Sequence, residues 1–248
     1  MEEILGSALD SRAGVASLFQ GRYALLAGAL LLLAAMYPVL GLGFLGLSLW
    51  TVAFWAVLLG ALYAVGSGRS IRRLSRILAA VALVAGVAGL GCYNLRDSGH
   101  DWIFTLFDGL TLLFLLLATG RILVDVVFRA AVDADHLVGA ACAYVLLGLT
   151  FAYVLSVLSG LTATPSLSPQ LAGDPLAGTD PATARAGYLY FSFVTLSTLG
   201  YGDISPLTLT ARLVAGVEAI VGQLFLTILV ARLIGLHLTR DVRRDSPR

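Results

Sequence analysis

The stretch Gly187–Pro206, GYLYFSFVTLSTLGYGDISP, decides how this chain folds. It is apolar for only about twelve residues before it breaks into Thr-Leu-Gly-Tyr-Gly-Asp, whereas a helix needs about 20 to cross the ~30 Å of hydrocarbon in a bilayer. The pattern predicts a helix that enters halfway from one side and an extended segment that returns. Extended backbone at membrane depth is tolerated only where it lines a water-filled or ion-filled path. The return segment is therefore expected to line a pore.

Its residue types say what such a pore would pass. Rings of backbone carbonyls can replace the hydration shell of potassium without introducing full negative charges. Carbonyls of successive residues in an ordinary strand point to opposite sides, so lining one axis requires alternating handedness. Gly200 and Gly202 provide positions where positive φ costs little. On this reading the carbonyls of Thr198, Leu199, Gly200 and Tyr201 stack as rings that hold K+, with the Thr198 hydroxyl as the innermost. The Tyr201 ring is expected to turn away and pack among Tyr188, Tyr190, Phe191 and Phe193. The short helix is expected to end near Thr195–Ser197, its C-terminal dipole favouring a cation beneath the filter. One chain supplies one strand of such a filter, so a closed ring implies a homotetramer.

The rest of the chain suits that placement. Of 248 residues 58% are hydrophobic and 12% charged, about half the charge share of a soluble domain. Apolar runs of membrane length occur at Tyr23–Leu40, Leu42–Val65, Leu74–Tyr93, Trp102–Thr119, Leu137–Ser159 and Leu209–Leu233. The predicted fold is all-α and membrane-embedded, with six transmembrane helices and the re-entrant pore helix and filter between the fifth and sixth. The segment between Gly160 and Arg185, rich in Pro, Thr, Ser, Gly and Ala, reads as a solvated loop. Cys92 and Cys142 lie in apolar stretches without paired spacing, which points to packing, not to metal or redox chemistry.

All 16 basic residues are arginines. With the N-terminus inside, 13 fall on the inner side and only Arg96, Arg185 and Arg212 on the outer side, which orients the chain with both termini in the cytoplasm. The fourth run, WIFTLFDGLTLLFLLLATG, contains no arginine, so it lacks the ladder of charges that voltage sensing requires. The expected organisation is a cytoplasmic segment over 1–22, a four-helix membrane unit over 23–120, a cytoplasmic linker over 121–136, a pore domain over 137–238 and a short cytoplasmic tail over 239–248 without an appended regulatory domain. Arg121, Asp125 and Arg129 recur at four-residue spacing in the linker and share a helical face.

TLSTLGYGD resembles the selectivity-filter motif of potassium channels, and the chain from about Asp135 to Leu238 is similar to the bacterial two-transmembrane pore-domain ion channel family, here with four additional N-terminal helices. The resemblance implies passive K+ conduction across the cell inner membrane, no enzymatic activity, no cofactor beyond K+ in the filter, and no nucleic-acid partner. It assigns ion binding to Thr198, Leu199, Gly200, Tyr201 and Gly202, places Asp203 at the outer mouth, and puts Gly222 where an inner-helix hinge glycine sits. Close packing of a small residue is the other reading of Gly222, and a structural hydrogen bond behind the filter the other reading of Asp203. Tyr190, Phe191 and Val194 stand near places where many relatives carry tryptophans or a buried glutamate that anchor this aspartate.

Candidates for gating or filter support are Glu218, Gly222, Gln223, Tyr190 and Thr195. Glu218 is an intramembrane carboxylate, a functional residue by default, either tuning the filter or hydrogen-bonding the pore helix behind it. Gln223 lies about 140° around the helix from Glu218, so one is expected to face the pore and the other a neighbour. Asp108, in the fourth run, is expected to be paired or hydrated near the outer end. A weakly selective monovalent cation channel is the alternative function. Neither the gating stimulus nor a regulatory partner is indicated by the sequence.

Overall fold

A computed structural model describes residues 23–64, 73, 76–77, 80, 83–84, 87, 101–128, 134–162, 164–169 and 181–244. Most of the third apolar run, Leu74–Tyr93, together with Arg69, Arg72, Cys92, Arg96 and Arg129, lies outside the described residues. The chain is mainly helical: α1 (Ala24–Ala35), a 3₁₀ turn (Tyr37–Leu42), α2 (Phe44–Ala64), α3 (Asp101–Phe128), α4 (Ala134–Thr162), β1 (Leu167–Pro169), α5 (Pro181–Leu196), β2 (Ile204–Pro206) and α6 (Leu209–Arg244). Among the described residues, four helices are long and apolar enough to cross a bilayer, over Phe44–Ala64, Phe104–Val127, Asp135–Thr162 and Leu209–Arg232.

Two sequence expectations are corrected. The first apolar run is not one continuous α-helix: α1 stops at Ala35 after 12 residues and the chain continues as a 3₁₀ turn. Pro38 accounts for the stop, since it has no N–H to give the Ala34 carbonyl four residues back and its ring crowds that carbonyl. The outer loop is not wholly solvated either. Leu167–Pro169 pairs antiparallel with Ile204–Pro206, Ser168 opposite Ser205, so the start of the loop holds the segment that leads into α6. Further along, α3 runs unbroken through Arg121 and Asp125 to Phe128, and α6 continues through the expected tail to Arg244.

The core lies where α1, α2, α3 and α4 meet, around Leu26, Trp50, Phe54, Phe114, Leu115 and Leu146. α3 packs along α4, α1 packs on α2 and α4, and α5 lies against α4, α6, α2 and the 3₁₀ turn. Polar contacts fix these placements. The Tyr23 hydroxyl donates to Asp125 (2.5 Å), its N–H to Asp135 (3.2 Å), and the Tyr37 hydroxyl to the Ala186 carbonyl on α5 (3.2 Å). α6 is the least enclosed: 17% of its membrane-length window is buried, against 56% for α2 and α4.

Candidate functional site

The site is built at the C-terminal end of α5. A helix leaves its last four carbonyls without intrahelical partners, and here the following segment supplies the donors. Ser197 N–H donates to the Phe193 carbonyl (3.1 Å), Thr198 N–H to Thr195 (2.9 Å), and Leu199 N–H and Gly200 N–H both to Val194 (2.9 and 3.4 Å). The donors of residues 197–200 are thus consumed behind the segment. Among the described residues, no hydrogen bond reaches the carbonyls of Thr198, Leu199, Gly200 or Tyr201.

Handedness alternates along the same stretch. Thr198, Gly200 and Gly202 have φ of 56°, 57° and 81°, and Leu199 and Tyr201 between them do not share that sign. The glycines follow the sequence reading. Thr198 was not foreseen: positive φ in a β-branched residue is a genuine outlier, and such strain persists only where the surroundings over-determine it. Part of that determination comes from α6, whose Gln223 donates through Nε2 to the Thr198 hydroxyl (3.0 Å).

In the single chain Tyr201 is 67% exposed and Leu199 56% exposed.

Asp203 accepts a hydrogen bond from the Tyr190 hydroxyl (2.5 Å), and its other oxygen accepts from the Ile204 N–H (3.0 Å). Tyr190 therefore holds the aspartate. The Tyr190 hydrogen bond holds the Asp203 carboxyl below the usual carboxylate range, and the same bond pushes the Tyr190 hydroxyl up to about 12.

α6 touches α5 at two levels and the segment after it at a third. Glu218, fully buried, lies against Ser192, whose Oγ is within hydrogen-bond distance of both the Glu218 carboxyl and the Gly148 carbonyl of α4 (2.7 Å). Gly222 lies against the last residue of α5: a Cβ there would stand 2.2 Å from the Leu196 carbonyl oxygen. That carbonyl also accepts from the Tyr144 hydroxyl (3.3 Å). Gln223 completes the set at Thr198. Glu218 and Gln223 thus meet different partners, as their angular separation requires. Thr195 enters through its carbonyl, which accepts from Thr198.

Asp108 is paired: Arg185 of α5 donates to one oxygen (2.7 Å) and Ser156 of α4 to the other (2.5 Å). The Arg185 guanidinium lies 5.5 Å from the ring centroids of both Phe107 and Tyr153. In the sequence Arg185 bears only on orientation, and little singles out Ser192. A single charge in each of two apolar segments was the available signal for the first. For Ser192 there was only its polarity within an aromatic run.

Residues 173–236 match a family model described as an ion channel. That match covers α5, the segment with alternating handedness and the membrane-length part of α6. No curated protein and no solved structure matches the chain significantly. The match and the membrane-length helices together support a multi-pass membrane protein with a segment similar to that ion-channel family.

Proposed function

We propose that the chain forms a potassium-selective channel that conducts passively through a filter of backbone carbonyls supplied by four copies. The observation that carries this reading is the backbone of residues 198–201: four consecutive carbonyls that meet no donor among the described residues, on a segment whose φ alternates in sign. Alternation turns successive peptide planes so that their oxygens share a side, and free oxygens so arranged are what a dehydrated K+ requires. The largely uncovered α6 and the exposed Leu199 and Tyr201 support assembly with further copies, since one chain cannot ring an ion. Asp203 stands at the outer mouth, and both termini face the cytoplasm, with Arg185 paired on the outer side.

The test is purified protein in planar bilayers, with reversal potentials measured under bi-ionic potassium and sodium. The proposal expects a reversal potential set by potassium and its loss in Gly200→Ala, where φ of 57° is strained for any residue bearing a Cβ. Equal permeability to sodium would replace this reading with that of a weakly selective cation channel. Parental conduction by Gly200→Ala would remove the filter assignment.

A further inference from the structure

The proton inventory around Ser192 is specific. Its Oγ approaches two oxygens, the Gly148 carbonyl and Glu218 Oε1. A serine hydroxyl carries one proton, and a backbone carbonyl can only accept. The contact with Gly148, at 2.7 Å, therefore uses the serine proton, because without it two acceptors would face each other. The contact with Glu218 then needs a proton of its own, and only the carboxyl can provide it.

The second carboxyl oxygen leads to the same result. Glu218 Oε2 is buried without a hydrogen-bond partner among the described residues. An unpartnered carboxylate oxygen in an apolar interior is far more costly than the carbonyl oxygen of a neutral acid. No cation approaches within ion-pairing distance among the described residues. From α4 the facing titratable group is Tyr144, whose proton is given to the Leu196 carbonyl. On α5, Arg185 lies two turns before Ser192 and is paired with Asp108. On α6 itself, Arg212 lies six residues earlier and its Nε donates to the Pro206 carbonyl.

We propose that Glu218 is held as a neutral carboxylic acid that donates from Oε1 to Ser192 Oγ, which in turn donates to the Gly148 carbonyl, so that one proton closes a clasp joining α6, α5 and α4 behind the filter. The chain runs in one direction, and each member has the donor its neighbour needs. Removing the proton leaves Ser192 one proton for two acceptors, so either the α6–α5 link or the α5–α4 link is lost. Glu218 is thereby a positioning residue, and the proton is the ligand of a site built from Glu218, Ser192 and Gly148. Its effect on conduction rests on the channel reading above; its protonation does not.

The experiment uses the purified full-length protein at neutral pH. Infrared difference spectra between the parent and Glu218→Gln read the carboxylic-acid carbonyl stretch, and Ser192→Ala reads whether that band belongs to a hydrogen-bonded acid. The expected result is a protonated-acid band absent from Glu218→Gln and shifted to higher frequency in Ser192→Ala. A carboxylate band in its place would overturn the proposal, whatever the protein conducts. In potassium flux, the parent is expected to lose activity as pH rises above neutral. Glu218→Gln, whose amide donates in the same place, is expected to retain flux across that range. A Gln variant with the alkaline loss of the parent, or one as impaired as Glu218→Ala at neutral pH, would overturn it. Absence of flux from every variant together with an intact acid band would count against the channel reading and leave the proton assignment standing.

Discussion

Gly222→Ala separates a hinge from a packing contact. The added methyl would stand 2.2 Å from the Leu196 carbonyl oxygen and 3.0 Å from its Cδ1, whereas ordinary contact begins near 3.4 Å. α6 and the end of α5 must separate by about 1.2 Å to admit it. Overpacking of this kind costs ~1–3 kcal/mol, while alanine gains about 0.8–1 kcal/mol over glycine in a helix interior. The net loss is on the order of 1 kcal/mol per chain. The displacement falls on the carbonyl that Tyr144 binds and two residues before Thr198. Thermal unfolding in detergent, followed by circular dichroism, is expected to show a lower midpoint for Gly222→Ala and reduced potassium flux. Gly120→Ala, where a Cβ meets nothing within 4 Å, is expected to be as stable as the parent or more so. A Gly222→Ala protein with parental stability and altered gating would refute the contact and favour the hinge. Parental stability and parental flux would refute both.

Three further outcomes follow from the same contacts. The Asp203 carboxyl is held low by the Tyr190 hydrogen bond, so it remains ionised until the pH falls below the ordinary carboxylate range. In Tyr190→Phe it protonates at a higher pH, and inhibition of current by external acid is expected to shift toward neutral; an unchanged acid profile would deny that coupling. Asp108→Asn strands the Arg185 guanidinium among apolar and aromatic neighbours at 13% exposure, and breaking a buried pair costs ~3–5 kcal/mol. Its thermal midpoint is expected to fall further than that of the double variant Asp108→Asn/Arg185→Gln, and the reverse order would refute the pairing argument. Gln223→Ala removes a hydrogen bond contributing ~0.5–1.5 kcal/mol from a threonine whose backbone strain is ~1–3 kcal/mol. Potassium-over-sodium selectivity is expected to drop, and to return in Gln223→Asn only if the shorter amide still reaches Thr198; full selectivity in Gln223→Ala would show that α6 does not hold Thr198.

The apolar runs and the glycine spacing were legible because each rests on a local rule: the length of a span, and the backbone freedom of Gly200 and Gly202. Pro38 was equally visible, yet hydropathy averaged over a window passes across it, and the stop of α1 at Ala35 was missed. Contacts between distant segments were not legible. Asp108 and Arg185 are 77 residues apart and Ser192 and Glu218 are 26 apart, and no local pattern in either partner specifies the other. Thr198 is the clearest case. Its composition argues against positive φ, and only the donors tied to α5 together with Gln223 from α6 make that conformation the lowest one available.

The contacts between α5 and α6 also constrain the path of the segment between them. Glu218 meets Ser192 and Gly222 meets Leu196, so a step of four residues on one helix matches a step of four on the other. Two helices in such register run side by side in the same direction. α5 therefore ends at the depth of Gly222, whereas α6 starts at Leu209, about 20 Å away at 1.5 Å per residue. Residues 197–208 must cover that distance backwards while giving their first N–H groups to the end of α5. A helical return would spend its carbonyls on its own N–H groups, whereas a more extended one of this length spans the gap and leaves them free. On the channel reading, the open carbonyls of Thr198 to Tyr201 thus follow from the parallel run of two helices, and a substitution that shifts α6 along α5 should be felt by the ion before it is felt by the fold.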